Sequence, residues 1–204
     1  LAEEMGHPLW ISIALGSRGL VREHLGDWKN AMLDYQQDLV LGRELQDRQG
    51  ESIALELMGS LELRQGLWAS GEAHLEQSLV LSQQIGYRKG QVKAYLSLSR
   101  AKLIQGDAGL ALSMAGKASA LAREMKNRKL QAQSHLIIAW ILLEAGEGDQ
   151  ARSILAMAEE DVMQWDDPAM QRDWSLLSAR TLDPDRRMAV LLTFRQQEED
   201  REMQ

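Results

Sequence analysis

Residues 51–90 read ESIALELMGSLELRQGLWASGEAHLEQSLVLSQQIGYRKG. Ile53, Leu55, Leu57, Met58, Leu61 and Leu63 recur with helical spacing from about Glu51 to Gln65. Gln65-Gly66-Leu67 interrupts the pattern, and Gly66 stands just past the last periodic residue, where a left-handed C-terminal turn favours glycine. A second, longer helix is expected from about Trp68 to Ile85, on Trp68, Leu75, Leu79 and Leu81. Gly59 falls mid-helix, where glycine costs up to about 1 kcal/mol relative to alanine. That cost is understandable if Gly59 and Gly71 face each other and let two antiparallel helices approach closely. The stretch reads as one tight helical hairpin.

Written in rows of forty, the rest of the chain repeats it. Gly26, Gly66, Gly106 and Gly146 share a column, as do Gly19, Gly59, Ser99 and Ala139, and Ala31, Gly71, Ala111 and Ala151. Leu1, Leu41, Leu81 and Leu121 form another, with Met5, Leu45, Ile85 and Met125 four residues on. Gly, Ala and Ser are 54 of the 204 residues. Eight small residues in the second and third columns would therefore arise by chance about 2 times in 100,000.

Neither helix of such a hairpin can bury its apolar stripe alone, so hairpins must stack. The expected fold is all-α, a superhelical solenoid of antiparallel helix hairpins over about 9–48, 49–88, 89–128 and 129–168. Residues 1–8 align with the close of a second helix (Leu41 to Gln46, Leu81 to Gly86), which suggests a truncated preceding repeat and a longer parent protein. Residues 169–204 lose the columns and read as a degenerate capping hairpin and tail. Within them Asp183-Pro184 starts a helix whose middle, Met188 to Phe194, is apolar nearly all round. Such a cap is either buried or a surface through which copies of the chain associate.

Composition agrees and narrows the function. The chain is 45% apolar and 26% charged, enough to bury a core, and its three prolines and single phenylalanine argue against a β-sandwich. A net charge of −7 speaks against generic binding to nucleic acid or to an anionic membrane surface. No apolar run approaches the roughly 18 residues that a bilayer crossing needs. The absence of cysteine excludes disulfides, thiol catalysis and cysteine-based metal sites, and fits a cytoplasmic protein.

The catalytic census is thin. His7, His24, His74 and His135 do not form the i, i+4 pair with an intervening Glu that a metalloprotease needs, and no Gly-x4-Gly-Lys-Ser/Thr loop occurs. His135 lies in an interior column and reads as a hydrogen-bonded structural histidine. Glu159-Glu160-Asp161 and Asp166-Asp167 lack the alternation of a calcium loop and read as a solvated turn. No enzyme, metal or cofactor is expected.

Leu55-x2-Met58-Gly59, Tyr95-x2-Leu98-Ser99 and Ala31-x3-Tyr35, with Trp28 and Trp68 in a shared column, resemble the signature of the tetratricopeptide repeat (TPR) family. The period is 40 where 34 is common, the connector proline is missing, and the extra length is assigned to the second helix and the connector. Repeats of this length resemble those of STAND-type ATPases, LuxR-like regulators and Pins-type scaffolds. The likeness covers residues 1 to 168.

The resemblance implies a concave groove lined by first helices that binds a protein, a peptide or another domain of the parent chain. It assigns to that groove Ile53, Glu56, Leu57, Ser60 and Arg64, then Lys93, Leu96, Ser97, Arg100 and Ile104. Gln133, Leu136, Ile137, Trp140 and Glu144 follow, and Ile13, Gly16, Ser17, Leu20 and His24 come from the first row. The lysine–asparagine pattern of a carboxylate clamp is absent, which favours an amphipathic helix or extended segment. Trp140 is the expected anchor, with ordinary packing as its alternative. Trp28 and Trp68 are expected to wedge the two helices of a repeat together, and the later repeats, which lack that wedge, to be looser.

Arg48, Arg88, Lys89, Arg128 and Lys129 recur in one inter-repeat turn, either a basic edge for an acidic partner or charges kept for solubility. Two further readings stand beside the scaffold: the sensor arm of a STAND-type ATPase or transcription regulator, and a self-association module.

Overall fold

The computed structural model describes residues 8–165 and 167–182, and over them the chain is all α-helix and turn. In chain order the helices are α1 (Pro8–His24), α2 (Trp28–Glu44), α3 (Arg48–Arg64), α4 (Trp68–Gln84), α5 (Arg88–Ile104), α6 (Ala108–Glu124), α7 (Arg128–Glu144), α8 (Gly148–Gln164) and α9 (Pro168–Arg180). The expected apolar helix around Met188 to Phe194 and the segment Leu1 to His7 lie outside the described residues.

Helices α1 to α8 have 17 residues each. The second helix of a hairpin is therefore no longer than the first, contrary to the sequence reading. The elementary unit is one helix plus a three-residue turn, and forty residues is two of them. Each of the seven turns from α1 to α8 has one residue in the left-handed region: Gly26, Gly66, Gly86, Gly106 and Gly146, but Gln46 (φ 55°) and Lys126 (φ 53°) at the two positions where no glycine stands. The turn geometry is thus kept even where a side chain makes it costlier. Asp27, Asp47, Asp107, Asn127 and Asp167 cap the helices that follow by accepting backbone N–H bonds, whereas Leu67 and Glu147 make no such bond.

The chain divides into two compact units, residues 1–101 and 102–204, with the division in the last turn of α5. In the first, α1 packs on α2, α2 on α3 and α3 on α4. Its core joins Ala31, Tyr35 and Leu39 of α2 to Ala54, Leu55, Leu57, Met58 and Leu61 of α3 and Leu81 of α4. The small column acts as its periodicity implies. A Cβ built on Gly59 would lie 2.7 Å from the Gly71 carbonyl oxygen and 2.8 Å from Leu75 Cγ, so α3 and α4 meet backbone to backbone. Around this crossing Ser52, Ser78 and Ser82 are buried and satisfy one another, with Ser52 Oγ 2.6 Å from Ser82 Oγ.

Trp28 and Trp68 do not wedge the helices. They are the first residues of α2 and α4, Trp28 is exposed and Trp68 half-buried. The space between the helices is taken by Tyr35 and Leu75, forty residues apart and both fully buried. Trp28 instead lies under the Arg64 guanidinium, 5.9 Å from the ring centroid.

In the second unit, α6 packs on α7, α7 on α8, and α9 on both α7 and α8. Ala111, Ala115, Ala118 and Ala122 of α6 are fully buried, so this unit achieves close packing with alanine. Ala132, Leu136 and Ala139, then Ala151, Leu155, Ala158 and Val162, and finally Met170 complete the core. Trp174 Nε1 donates to the Leu155 carbonyl (3.1 Å) and Arg152 Nη2 to that of Thr181 (2.6 Å), which pins α9 in place.

Candidate functional site

In the first unit the residues assigned to the groove separate into two layers. Leu57 and Leu96 are buried and support the surface from beneath. Glu56, Ser60, Lys93 and Ser97 come together as one polar cluster. Ser60 Oγ lies 3.1 Å from Glu56 Oε1 and 3.0 Å from Ser97 Oγ, and Lys93 Nζ stands 3.7 Å from Glu56 Oε2. Ile53 is half-buried, while Arg64 and Arg100 are exposed, as are Ile13, Ser17, Leu20 and His24 of α1.

A pattern that the sequence reading missed underlies this face: its cations stand over buried carboxylates. Arg64 pairs with Glu23, which also accepts a bond from Tyr35 Oη (2.8 Å). Arg18 grips Asp34 through Nε and Nη2, and Arg22 Nη1 donates to the same carboxylate at 2.7 Å. Glu23, Asp34 and Glu56 are buried, yet their partners Arg64, Arg18, Arg22 and Lys93 reach solvent. A buried charge persists only when paired, so each cation is held in place from below. Burial, then the bond to Glu23, pushes the Tyr35 phenol up, and burial followed by the charge of Glu56 pushes Tyr87 up.

Asp38 differs from these: it is a buried carboxylate that accepts a bond from the Ser12 hydroxyl. Burial raises its pKa more than the Ser12 bond lowers it. The folded chain thus favours the protonated acid. That contribution is fullest below the unfolded carboxylate pKa of about 3.9 and is lost as pH rises through the raised value. Asp38→Asn, which keeps an acceptor for Ser12, is expected to be at least as stable as wild type at pH about 7 and to lose that advantage towards pH about 4. Urea denaturation of both proteins across this range measures the gap, and an Asn variant weaker at neutral pH would contradict it.

In the second unit Leu136 and Ile137 are buried, Gln133 is half-buried, Trp140 half-exposed and Glu144 exposed. Trp140 Nε1 donates to Glu144 Oε1 at 3.1 Å and Arg180 Nη2 to the same oxygen at 3.0 Å. The Arg180 bond first, and the Trp140 bond second, hold the Glu144 carboxyl below the usual range. Arg180 sits 36 residues away on α9, beyond the reach of any periodicity.

His135 differs from its expectation. Its Nδ1 is buried with no hydrogen-bond partner among the described residues. Burial lowers its pKa and Asp161 opposes the shift. Asp161 is itself buried and held 2.5 Å from Arg128 Nε, so the acidic run belongs to α8 and not to a solvated turn. Asp167 caps α9, and Asp166 lies outside the described residues.

Arg48, Arg88 and Arg128 begin α3, α5 and α7; they stand in helices rather than turns. Arg48 meets Glu51 (3.4 Å) and Gln84 (3.2 Å), Arg128 also meets Glu160 (3.2 Å), and Lys129 meets Asp167 (2.9 Å). Arg88 and Lys89 are exposed. Three of these five, Arg48 in the first unit and Arg128 and Lys129 in the second, thus tie helices together. Among the described residues no cluster of His, Asp or Glu is arranged to hold a metal ion, and no helix is long and apolar enough to cross a membrane.

No protein-family model matches the chain, and no curated protein matches it by sequence. Solved structures do. BtubC (BKLC) from P. vanneervenii is similar with a TM-score of 0.73 at 12% identity, over 97% of this chain and 85% of that one. The nearly identical TPR-like repeats of a protein described as a putative kinesin light chain from Podospora anserina give 0.66 at 11% identity, over 94% of this chain and 96% of that one. A thermophilic TPR protein from Thermus thermophilus gives 0.64 at 19%, over 89% of each chain. At such identities the likeness is one of fold: an all-α, TPR-like repeat solenoid.

Proposed function

We propose that the chain is a non-catalytic TPR scaffold of forty-residue type that binds a peptide, a helix or a partner domain on its first helices, within a larger regulatory protein. One observation carries this reading: the first helices of residues 1–101 present exposed aliphatics, Ile13 and Leu20, together with cations, Arg64 and Lys93, clamped by the buried carboxylates Glu23 and Glu56. Cations anchored in this way lose little side-chain freedom when a partner docks, which favours recognition of a segment with apolar and acidic positions.

The scaffold is tested by comparing what the chain and an Ile13→Glu, Leu20→Glu variant retain from native lysate. Both positions are exposed, so the variant is expected to keep its far-UV circular dichroism and its melting temperature. A protein held by wild type and released by the folded variant supports the reading. Identical retention by both, or retention of nothing, counts against it.

A further inference from the structure

The last turn of α5, the start of α6 and the last turn of α7 enclose a depression in the second unit, lined by Leu103, Ile104, Ala108, Trp140, Glu144 and Ala145. Its walls are apolar although the fold does not require this. Forty residues earlier the positions of Ile104 and Trp140 are held by Arg64 and Arg100, both exposed and charged. Ile104 is 55% exposed, a large aliphatic area left in water beside an indole. At the rim stands Glu144. Both of its bonds, from Trp140 and from Arg180, go to Oε1, and Oε2 accepts from no donor among the described residues. Asp107 and Glu147 lie within one or two residues of the lining, as does Lys102, and Arg180 bonds to Glu144, so three acids stand there against two bases.

An apolar floor with an ionised carboxylate at one side fits a particular occupant. A bulky aliphatic side chain can cover Ile104 and Trp140 and gain from the area removed from water. A cation next to it can meet Glu144 Oε2 at the edge, where the charges of Asp107 and Glu147 add to the attraction. An acidic neighbour would meet three carboxylates against two cations, Arg180 and Lys102. A free small molecule would find an open hollow, poorly suited to surround it.

We infer that this depression takes one bulky aliphatic side chain of a protein partner with a lysine or arginine beside it in sequence, the aliphatic on Trp140 and Ile104 and the cation on Glu144. The inference rests on the reading of the chain as a partner-binding scaffold and gives the partner a motif at one place. The remaining contacts of the partner fall elsewhere, so an isolated motif binds weakly.

The test is a nuclear magnetic resonance titration of the full chain with capped hexapeptides of the form Gly-Ser-X-Z-Gly-Ser. X–Z is Leu-Arg, Leu-Glu or Ser-Arg, and the Trp140 indole N–H signal is assigned by its loss in Trp140→Phe. Leu-Arg is expected to shift that signal saturably at millimolar concentration, about fivefold more tightly than Leu-Glu or Ser-Arg. Glu144→Gln is expected to bring Leu-Arg and Leu-Glu together while leaving the fold unchanged. Equal affinities for Leu-Arg and Leu-Glu in the wild type, or no saturable shift of the Trp140 signal, would overturn the proposal. The lysate comparison depends on Ile13 and Leu20 on α1, so failure here with variant-dependent retention there rejects the pocket alone. Failure there with success here rejects the first-helix surface alone.

Discussion

Gly59→Ala is expected to destabilise the chain by about 2 kcal/mol, although alanine is the better helix former by up to about 1 kcal/mol. The added Cβ would meet the Gly71 carbonyl oxygen at 2.7 Å, Leu75 Cγ at 2.8 Å and the Leu75 backbone nitrogen at 3.1 Å. Two of these atoms belong to the facing backbone and cannot rotate away, so the helices themselves must separate and the buried contacts of Leu75 loosen. Gly116→Ala in α6 is the control with the opposite sign. Nothing lies within 4 Å of its Cβ position, so the helical preference acts alone and about 0.5–1 kcal/mol is gained. Urea denaturation followed by far-UV circular dichroism measures both. A Gly59→Ala chain as stable as wild type would mean that α3 and α4 do not meet this closely.

Tyr35→Ala is expected to cost more, about 3–5 kcal/mol, because it empties a position that is completely buried and lies between α1 and α2. Its ring occupies the space that Gly19 leaves, much as Leu75 does at Gly59. Tyr35→Phe separates packing from chemistry. It keeps the ring and removes only the hydroxyl that donates to Glu23 at 2.8 Å, leaving that buried carboxylate with Arg64. A loss of about 1–3 kcal/mol is expected, since the remaining acceptor stays buried. Equal losses from Phe and Ala would show that the hydroxyl, not the ring, is what the position requires. No loss in Phe would show that Arg64 alone suffices for Glu23.

Legibility varied with the kind of signal. Gly59, Gly71 and the two columns they belong to exposed the hairpin, because a glycine inside a helix has few explanations other than close approach. The residues beneath the first-helix face were less legible. Glu56 and Ser60 share a helix turn, and Lys93 and Ser97, which they meet 37 residues on, stand in the columns of Ile53 and Leu57 on the same repeated face, so periodicity reached them. Glu23 and Asp34 read as ordinary charged helix residues, since nothing in their spacing tells a buried carboxylate from a solvated one. Trp28 and Trp68 misled for a related reason: an aromatic in a repeated column suggests core, but at the first position of a helix the side chain can stay outside the hairpin.

From its sequence alone the chain is an all-α repeat of helical hairpins, because a period of small and apolar residues states which faces must be buried and how closely helices approach. That the unit is one 17-residue helix and a turn, with Gln46 and Lys126 adopting the conformation that glycine takes elsewhere, was decided by the tertiary structure. So was the pairing of Arg64 with Glu23 and of Arg180 with Glu144, across 41 and 36 residues. Burial patterns are local and periodic and therefore written along the chain. The partner of a charge depends on which side chains the packed helices bring within about 3 Å, and that distance exists only once they have packed.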